Sequence, residues 1–266
     1  MLREGPGKGG IIAGGTALGA ARMMPYDYLV DITRIGLGQI RSEGDFVRVG
    51  STATIQQLAT ASALQFPELR FLAQAALSVA TRQIRNMATV GGDLVSGYPM
   101  ADLPAAFLVL DTQLELVGAD RATLALRDLF DPGVSKGVNG GLVTEIAFRL
   151  PPADSRGHFT KYARTENDVA LLDLACLVRL RDGRFEEVRV GLGSAVLRPL
   201  RLGRVEDFLR GKPAENQYLT RAAELSIENL PILDNIRASR AYRTEMIQVF
   251  LRRGLRACVV KGGGDR

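Results

Sequence analysis

Two short segments place paired glycines between apolar residues: Ala13-Gly14-Gly15-Thr16-Ala17-Leu18 and Thr89-Val90-Gly91-Gly92-Asp93. A glycine has no Cβ, so backbone N–H groups in such a loop can come close to an anion. The first loop runs into a helix-forming stretch, and a helix N-terminus favours negative charge. Thr16, Thr89 and Ser96 add hydroxyl donors near the glycines. Taken singly, each Gly-Gly reads first as a tight turn, because glycine is the default turn residue. Two such loops in one chain point further, to a cofactor carrying a diphosphate.

Other chemistries find little support. The chain has two cysteines, Cys176 and Cys258, and one histidine, His158. Two thiols build neither a four-thiolate iron–sulfur cluster nor a structural zinc site. No nucleophile motif accompanies His158, so hydrolytic triads are not indicated. Gly5, Gly7 and Gly10 match G-x-G-x-x-G by spacing, but almost no chain precedes them and Pro6 lies inside. Gly191 and Gly193 follow a strand, yet Val196 takes the third position and Arg198-Pro199 interrupts the helix that must come next. Neither is a dinucleotide fingerprint, which needs a strand before it and a helix after it. The net charge is +5 over 266 residues, with 24% charged and 6% aromatic residues. The arginines are dispersed and no basic stretch interleaves with aromatics, which weighs against nucleic acid. The excess of positive charge suits a bound diphosphate or an acidic partner. No apolar run is long enough to span a bilayer. The glycine-rich N-terminus lacks a signal-peptide hydrophobic region and reads as cytoplasmic.

The elements that must position the loops follow from periodicity and breakers. Strands are expected over residues 28–33, 46–50, 113–117, 122–126 and 142–150, and helices over 54–64, 67–80 and 103–110. Residues 83–102 read as a long loop. Pro151-Pro152 and the polar residues after them mark a boundary, giving domains over 1–152 and 153–266. Beyond it, residues 159–164 look extended, and a hairpin turns at Asp182-Gly183. Its arms alternate, with Cys176, Val178 and Leu180 on one face of the first arm and Val188, Val190 and Leu192 on one face of the second. Helices over 215–229 and 238–259 close the chain; the last repeats Ile247, Leu251, Leu255 and Tyr242, Met246, Phe250 at helical spacing.

Four segments carry a family resemblance. IIAGGTALGAARMM (11–24) resembles the AGGT loop of the FAD domains in molybdenum hydroxylases, the group of xanthine dehydrogenase, aldehyde oxidoreductase and carbon monoxide dehydrogenase medium subunits. QIRNMATVGGDLVSGYPMADLPAAFLVLD (83–111) closely resembles the second FAD loop. FTKYARTENDVALLDLA (159–175) and RASRAYRTEMIQVFLRRGL (237–255) resemble the family's later segments. The QIRN-ATVGG match is highly specific, whereas the AGGT loop alone is weak.

The resemblance implies an α+β fold: a two-subdomain FAD-binding domain of the vanillyl-alcohol-oxidase (PCMH) kind, then a C-terminal antiparallel sheet with helices. It implies that Ala13, Gly14, Gly15, Thr16, Ala17 and Leu18 wrap the FAD diphosphate, and that Thr89, Gly91, Gly92 and Asp93 form the second wall. Asp102 would bond ribityl or ribose hydroxyls. Lys161 would stand near the isoalloxazine, and Ile146 or a strand neighbour would pack on a ring. Without the resemblance, Lys161 and Arg164 read as a solvated strand edge. Two positions depart from the family pattern: Ala17 replaces a common Asp, and Asp93 replaces a common Asn. A carboxylate there loses an amide donor and repels an anionic cofactor. The family also has a β-α unit ahead of AGGT, roughly thirty residues by the size of such units; ten residues precede Ile11 here.

The expected function is electron transfer through non-covalent FAD, with iron–sulfur clusters and molybdopterin on partner subunits of a hetero-oligomer. Two alternatives stand beside it: a stand-alone flavoenzyme of the same fold, such as an enolpyruvyl-sugar reductase, and a scaffold that has lost FAD.

Overall fold

Apolar residues at alternate positions of Phe46–Gly50 and a long run in Leu142–Arg149 set the first sheet, because a strand with one buried face alternates. The computed structural model describes residues 7–19, 26–98, 100–131 and 141–260. Its chain begins with β1 (Gly9–Ile12), α1 (Thr16–Gly19) and β2 (Tyr28–Asp31), with β1 and β2 paired in parallel. Residues 20–25, the continuation of the first helix-forming stretch, lie outside the described residues, as does Gly5. Next come β3 (Ile40–Glu43), β4 (Phe46–Gly50), α2 (Ile55–Thr60), α3 (Arg70–Ser78), α4 (Arg82–Met87), α5 (Val90–Val95) and α6 (Leu103–Leu108). β5 (Gln113–Val117), β6 (Arg121–Ala125), α7 (Leu126–Leu129) and β7 (Leu142–Arg149) complete this part. The antiparallel sheet runs β3-β4-β7-β5-β6. Val47, Val49, Leu114 and Ile146 project from it onto α2, α3 and α6 in one apolar core.

The second part holds β8 (Arg156–Tyr162), β9 (Leu172–Arg181), β10 (Arg184–Gly193), β11 (Leu200–Arg201), α8 (Gly203–Leu209), α9 (Asn216–Leu225) and α10 (Arg240–Val259). The sheet order is β11-β10-β9-β8, all antiparallel. β9 and β10 form the hairpin expected from Asp182-Gly183, both of which take positive φ at the turn. Cys176 lies opposite Val190, and Val178 opposite Val188. Leu172, Leu174, Cys176 and Val178 face α8, α9 and α10, while Ala175 and Leu177 face the core of the first part. This sheet is therefore covered on both sides, which is why β9 is nearly continuously apolar. On α10, Ile247, Leu251 and Leu255 are buried, as their spacing requires, and Phe250 stacks on Tyr162 with ring centroids 4.8 Å apart.

The expected α+β architecture is present, with local corrections. Residues 83–102 are not one loop: threonine caps start two short helices inside and beside them. Thr81 Oγ1 accepts from Ile84 N at 3.4 Å, and Thr89 Oγ1 accepts from Gly92 N at 3.1 Å. The helix expected over 54–64 ends at Thr60, and the one over 67–80 contracts to Arg70–Ser78, each with a 3-10 turn beside it. β3 and α8 have no periodic apolar signal: Ile40–Glu43 is an edge strand with polar outward residues, and α8 is short.

Candidate functional site

The two glycine loops meet. Gly14 packs so tightly on the chain just before the second loop that a Cβ would lie 1.8 Å from the Met87 carbonyl oxygen. Gly91 is equally confined, with a Cβ position 2.7 Å from the Ser51 oxygen. These two glycines are needed for the protein to pack on itself. Gly92 differs: a Cβ there would meet only its own loop's Thr89 Oγ1, at 2.8 Å, and otherwise open space. Gly92 therefore leaves an unfilled surface on the second loop.

The donors divide unevenly between the loops. In the second, Val90 N donates to Ala53 O at 2.8 Å, Gly91 N to Ser51 O at 2.9 Å, Gly92 N to Thr89 Oγ1 at 3.1 Å and Asp93 N to Thr89 O at 2.9 Å. Its N–H groups are thus spent inside the protein, and the loop supplies shape rather than donors. Ser96 Oγ is likewise engaged, with Asp93 O at 3.2 Å and Tyr98 N at 3.2 Å. In the first loop, Gly19 N returns to Gly15 O at 2.7 Å. The first-turn N–H groups of α1, from Thr16, Ala17 and Leu18, have no acceptor within a helix. Gly15 holds φ at +70°, which turns the chain into that helix. Unpaired N–H groups of this kind suit an anion, and the residues present are compatible with the diphosphate of FAD.

Behind the loops lies a buried group of charges. Lys161, near the end of β8, donates from Nζ to Asp102 Oδ2 at 3.0 Å and to Ser78 O at 3.0 Å. The carbonyl end of α3 favours a cation, and the N-terminus of α6 favours an anion. The Lys161 and Asp102 side chains are only 6% and 8% exposed, which overturns the solvated-edge reading for Lys161. Arg164 does keep an exposed side chain, paired with Asp168 at 2.9 Å. The bonds from Val169 N–H, Arg164 and Arg237 hold the Asp168 carboxyl down, at about 2. Asp93 Oδ2 accepts from Leu103 N at 3.3 Å and so tends the start of α6. Burial, helped by the Asp102 charge, pushes the Asp93 carboxyl up to about 7. Burial also pushes Asp102 up to about 6, against the pull of Lys161.

The sequence reading missed two members of this group, Asp173 and Ser194, both fully buried, with the Ser194 hydroxyl donating to Asp173 Oδ2. A lone acid inside the run Leu171-Leu172-Asp173-Leu174-Ala175 was the available signal. Ile146 is fully buried in the sheet core, opposite Val49 and Leu114, and presents no surface to a ring. His158 is paired with Thr160 Oγ1 at 2.8 Å, and burial lowers its pKa. Cys176 and Cys258 are buried free thiols. Among the described residues no group of three or more His, Cys, Asp or Glu could hold a metal ion, and no helix is long and apolar enough to cross a membrane.

A cleft of about 830 Å³ opens beside Lys161. It lies between the α3–α4 turn and the segment after β8, with Leu77, Thr81, Arg82, Arg85, Lys161 and Arg164 on its walls. Arg85 is fixed there by Val79 O and Ala80 O, both at 3.0 Å, and by Gln56 Oε1 at 3.1 Å. One cleft wall thus carries the lysine of the buried ion pair, and its rim carries arginines from both parts of the chain.

Comparison with known proteins places this geometry in a class. The family described as the FAD binding domain in molybdopterin dehydrogenase matches residues 2–150, and the CO dehydrogenase flavoprotein C-terminal domain matches residues 157–258. The chain belongs to this family of FAD-binding oxidoreductase subunits. It is 28% identical over 249 residues to the nicotine 6-hydroxylase medium subunit of Paenarthrobacter nicotinovorans, covering 91% of this chain and 87% of that one. It is 29% identical over 245 residues to the xanthine dehydrogenase FAD-binding subunit of Escherichia coli O157:H7, covering 90% and 84%. A chain of the reconstituted CO dehydrogenase from Oligotropha carboxidovorans superimposes with a TM-score of 0.89 at 28% identity, over 96% of this chain and 92% of that one.

Proposed function

We propose that this chain is the flavin subunit of a molybdenum hydroxylase complex, taking electrons from iron–sulfur clusters on a partner and passing them to an external acceptor. The observation that supports it best is the meeting of the two glycine loops, one offering helix-terminal N–H groups and the other an open face at Gly92. FAD, when bound, supplies the redox chemistry, and the protein supplies position and electrostatics. Residues 13–18 hold the diphosphate, with Thr89, Gly91, Gly92, Asp93 and Ser96 shaping the facing wall. Lys161 brings a positive charge to the cleft, where a developing negative charge is stabilised. Asp102 holds Lys161 in place and is spent on that ion pair rather than on a sugar hydroxyl. The cationic cleft admits an anionic or polar acceptor beside Lys161.

The chain divides functionally near Pro152, into an FAD-binding domain over 1–152 and a C-terminal domain over 153–266. Relatives named as medium subunits and medium chains support a hetero-oligomer with an iron–sulfur subunit and a molybdopterin subunit. A location in the cytoplasm follows from the same assignment. The visible spectrum of the purified chain separates a flavoprotein from a scaffold. The chains that co-elute with it separate a subunit from a stand-alone flavoenzyme.

A further inference from the structure

Lys161, Asp173 and Gly193 are cross-strand partners on β8, β9 and β10, so their side chains share the sheet face that meets α6. Gly193 leaves room there: its Cβ position is 3.6 Å from Asp173 Cβ and from Ala105 Cβ. Lys161 is the register partner of Asp173 and the hydrogen-bond partner of Asp102, so the two carboxyls converge on one ammonium. Each has one oxygen accounted for. Asp102 Oδ2 takes the Lys161 ammonium at 3.0 Å, and Asp173 Oδ2 takes the Ser194 hydroxyl. The other two oxygens, Asp102 Oδ1 and Asp173 Oδ1, are buried and have no donor. Two buried acceptors without donors, on carboxyls that converge, are strongly unfavourable as a pair of anions.

We propose that Asp102 and Asp173 share one proton through these Oδ1 atoms, forming an acid–carboxylate pair that joins α6 to β9 and balances Lys161 with a single negative charge. A proton there satisfies both orphaned oxygens at once. The neighbours fit this charge count. Asp93, from α5, presses a third carboxyl toward the pair, and Lys161 is the cation in direct contact. Arg243, from α10, is bonded to Ser194 O at 3.2 Å and to Leu171 O, so it reaches the pair only through backbone. Burial and the mutual charge raise Asp173 well above the usual carboxylate range and Asp102 to about 6. Asp173 is thereby a positioning residue for Lys161. It keeps Asp102 oriented with one oxygen toward the ammonium and prevents a second uncompensated charge behind the cleft. The pair is made by these side chains whichever cofactor is bound, so its test is independent of the proposed function.

The test is a carbon-13 titration of the aspartate-labelled full chain, with Asp173→Asn and Asp93→Asn used to assign resonances. The expected result is a carboxyl that remains protonated at about pH 7, far above the ordinary value of about 3.9. Asp93 is a second raised carboxyl, so the shared proton is read in Asp93→Asn, where a carboxyl still titrates high. In Asp173→Asn that resonance is lost, the amide donates to Asp102 without a proton, and Asp102 titrates lower than in the wild type. A proton held in the folded state alone makes the unfolding constant rise about tenfold per pH unit between the unfolded and folded pKa values. Asp173→Asn therefore shows a shallower loss of stability with rising pH than the wild type, above about pH 4. The proposal is overturned if every wild-type carboxyl titrates below about pH 5, which needs no variant. It is also overturned if Asp93→Asn leaves no carboxyl that titrates above about pH 5.

Discussion

Lys161 Nζ stands 3.0 Å from Asp102 Oδ2, an ion pair that ties the sheet of the C-terminal part to the first turn of α6 in the N-terminal part. The same ammonium bonds the last turn of α3 and forms part of the cleft wall. One side chain thus fixes the junction and sets the charge of the site. Removing it has two separable effects.

Lys161→Met leaves Asp102 without its cation. Asp102 answers by taking up a proton, so the loss of stability is held to about 1–3 kcal/mol, the range for an unsatisfied buried polar group. The redox effect is independent of that loss. A positive charge near a reduced anionic flavin contributes about 1–4 kcal/mol between water-like and surface dielectrics. The flavin midpoint potential of the variant is expected to fall, with FAD content largely kept. A potential equal to the wild type's, measured by redox titration of the bound flavin, removes Lys161 from the flavin's surroundings.

Gly92→Val and Gly91→Ala separate cofactor space from folding space. At Gly92 a Cβ enters the open side and meets the protein only at Thr89 Oγ1, the cap of α5, which must give way. Flavin stoichiometry is expected to collapse while stability falls by no more than a helix cap contributes, about 0.5–2 kcal/mol. At Gly91 even a methyl collides with Ser51 backbone, so the protein itself is expected to lose stability by about 1–3 kcal/mol, as overpacked sites do. Full flavin occupancy in Gly92→Val places the cofactor elsewhere.

Asp93 confers a pH dependence. Its carboxyl is pushed up to about 7, so it is largely protonated in mildly acidic solution and can then donate as an asparagine amide does. Above that value it becomes an anion, which the proposed diphosphate site disfavours. FAD affinity is expected to weaken as pH rises from about 6 to 8, by up to about tenfold, since one unit of linkage is about 1.4 kcal/mol. Asp93→Asn removes the slope and binds FAD at least as tightly at high pH. The stability sign agrees: a carboxyl raised in the folded state favours folding most at low pH, and that contribution declines from about pH 4 to about 7. Equal slopes for variant and wild type, by fluorescence titration with FAD, contradict this role.

The link to FAD is expected to be non-covalent. Neither glycine loop contains a histidine or a cysteine, and both cysteines are buried away from them. Acid precipitation is expected to release all the yellow colour as FAD. Flavin remaining on the pellet contradicts the expectation.

How much of this was readable in the sequence depends on the range of the interaction. The Asp182-Gly183 turn, the α10 stripe and the two Gly-Gly loops are local patterns, and the fold contains them where spacing puts them. The helices α4 and α5 were hidden because their formation rests on single threonine caps and tertiary packing rather than on periodicity. The site's electrostatics were less legible still. Lys161 and Asp102 are 59 residues apart, and the Ser194–Asp173 bond spans 21, so no local rule pairs them. Ile146 is an instance of the reverse error: an apolar residue near a cofactor segment that the sheet core claims entirely.

A flavin relay inside a larger complex passes electrons from a hydroxylase substrate through the flavin, and that flow can be watched. The chain, co-expressed with the genes of its candidate partners, is purified and mixed anaerobically with hydroxylase substrates while the flavin absorbance is followed. The chain is expected to elute with subunits containing iron and molybdenum, its flavin to bleach in that complex with one of the substrates, and the isolated flavin-loaded chain to show no bleaching with any of them. A monodisperse chain that carries FAD and oxidises or reduces a substrate without partners would contradict the account and establish a stand-alone flavoenzyme.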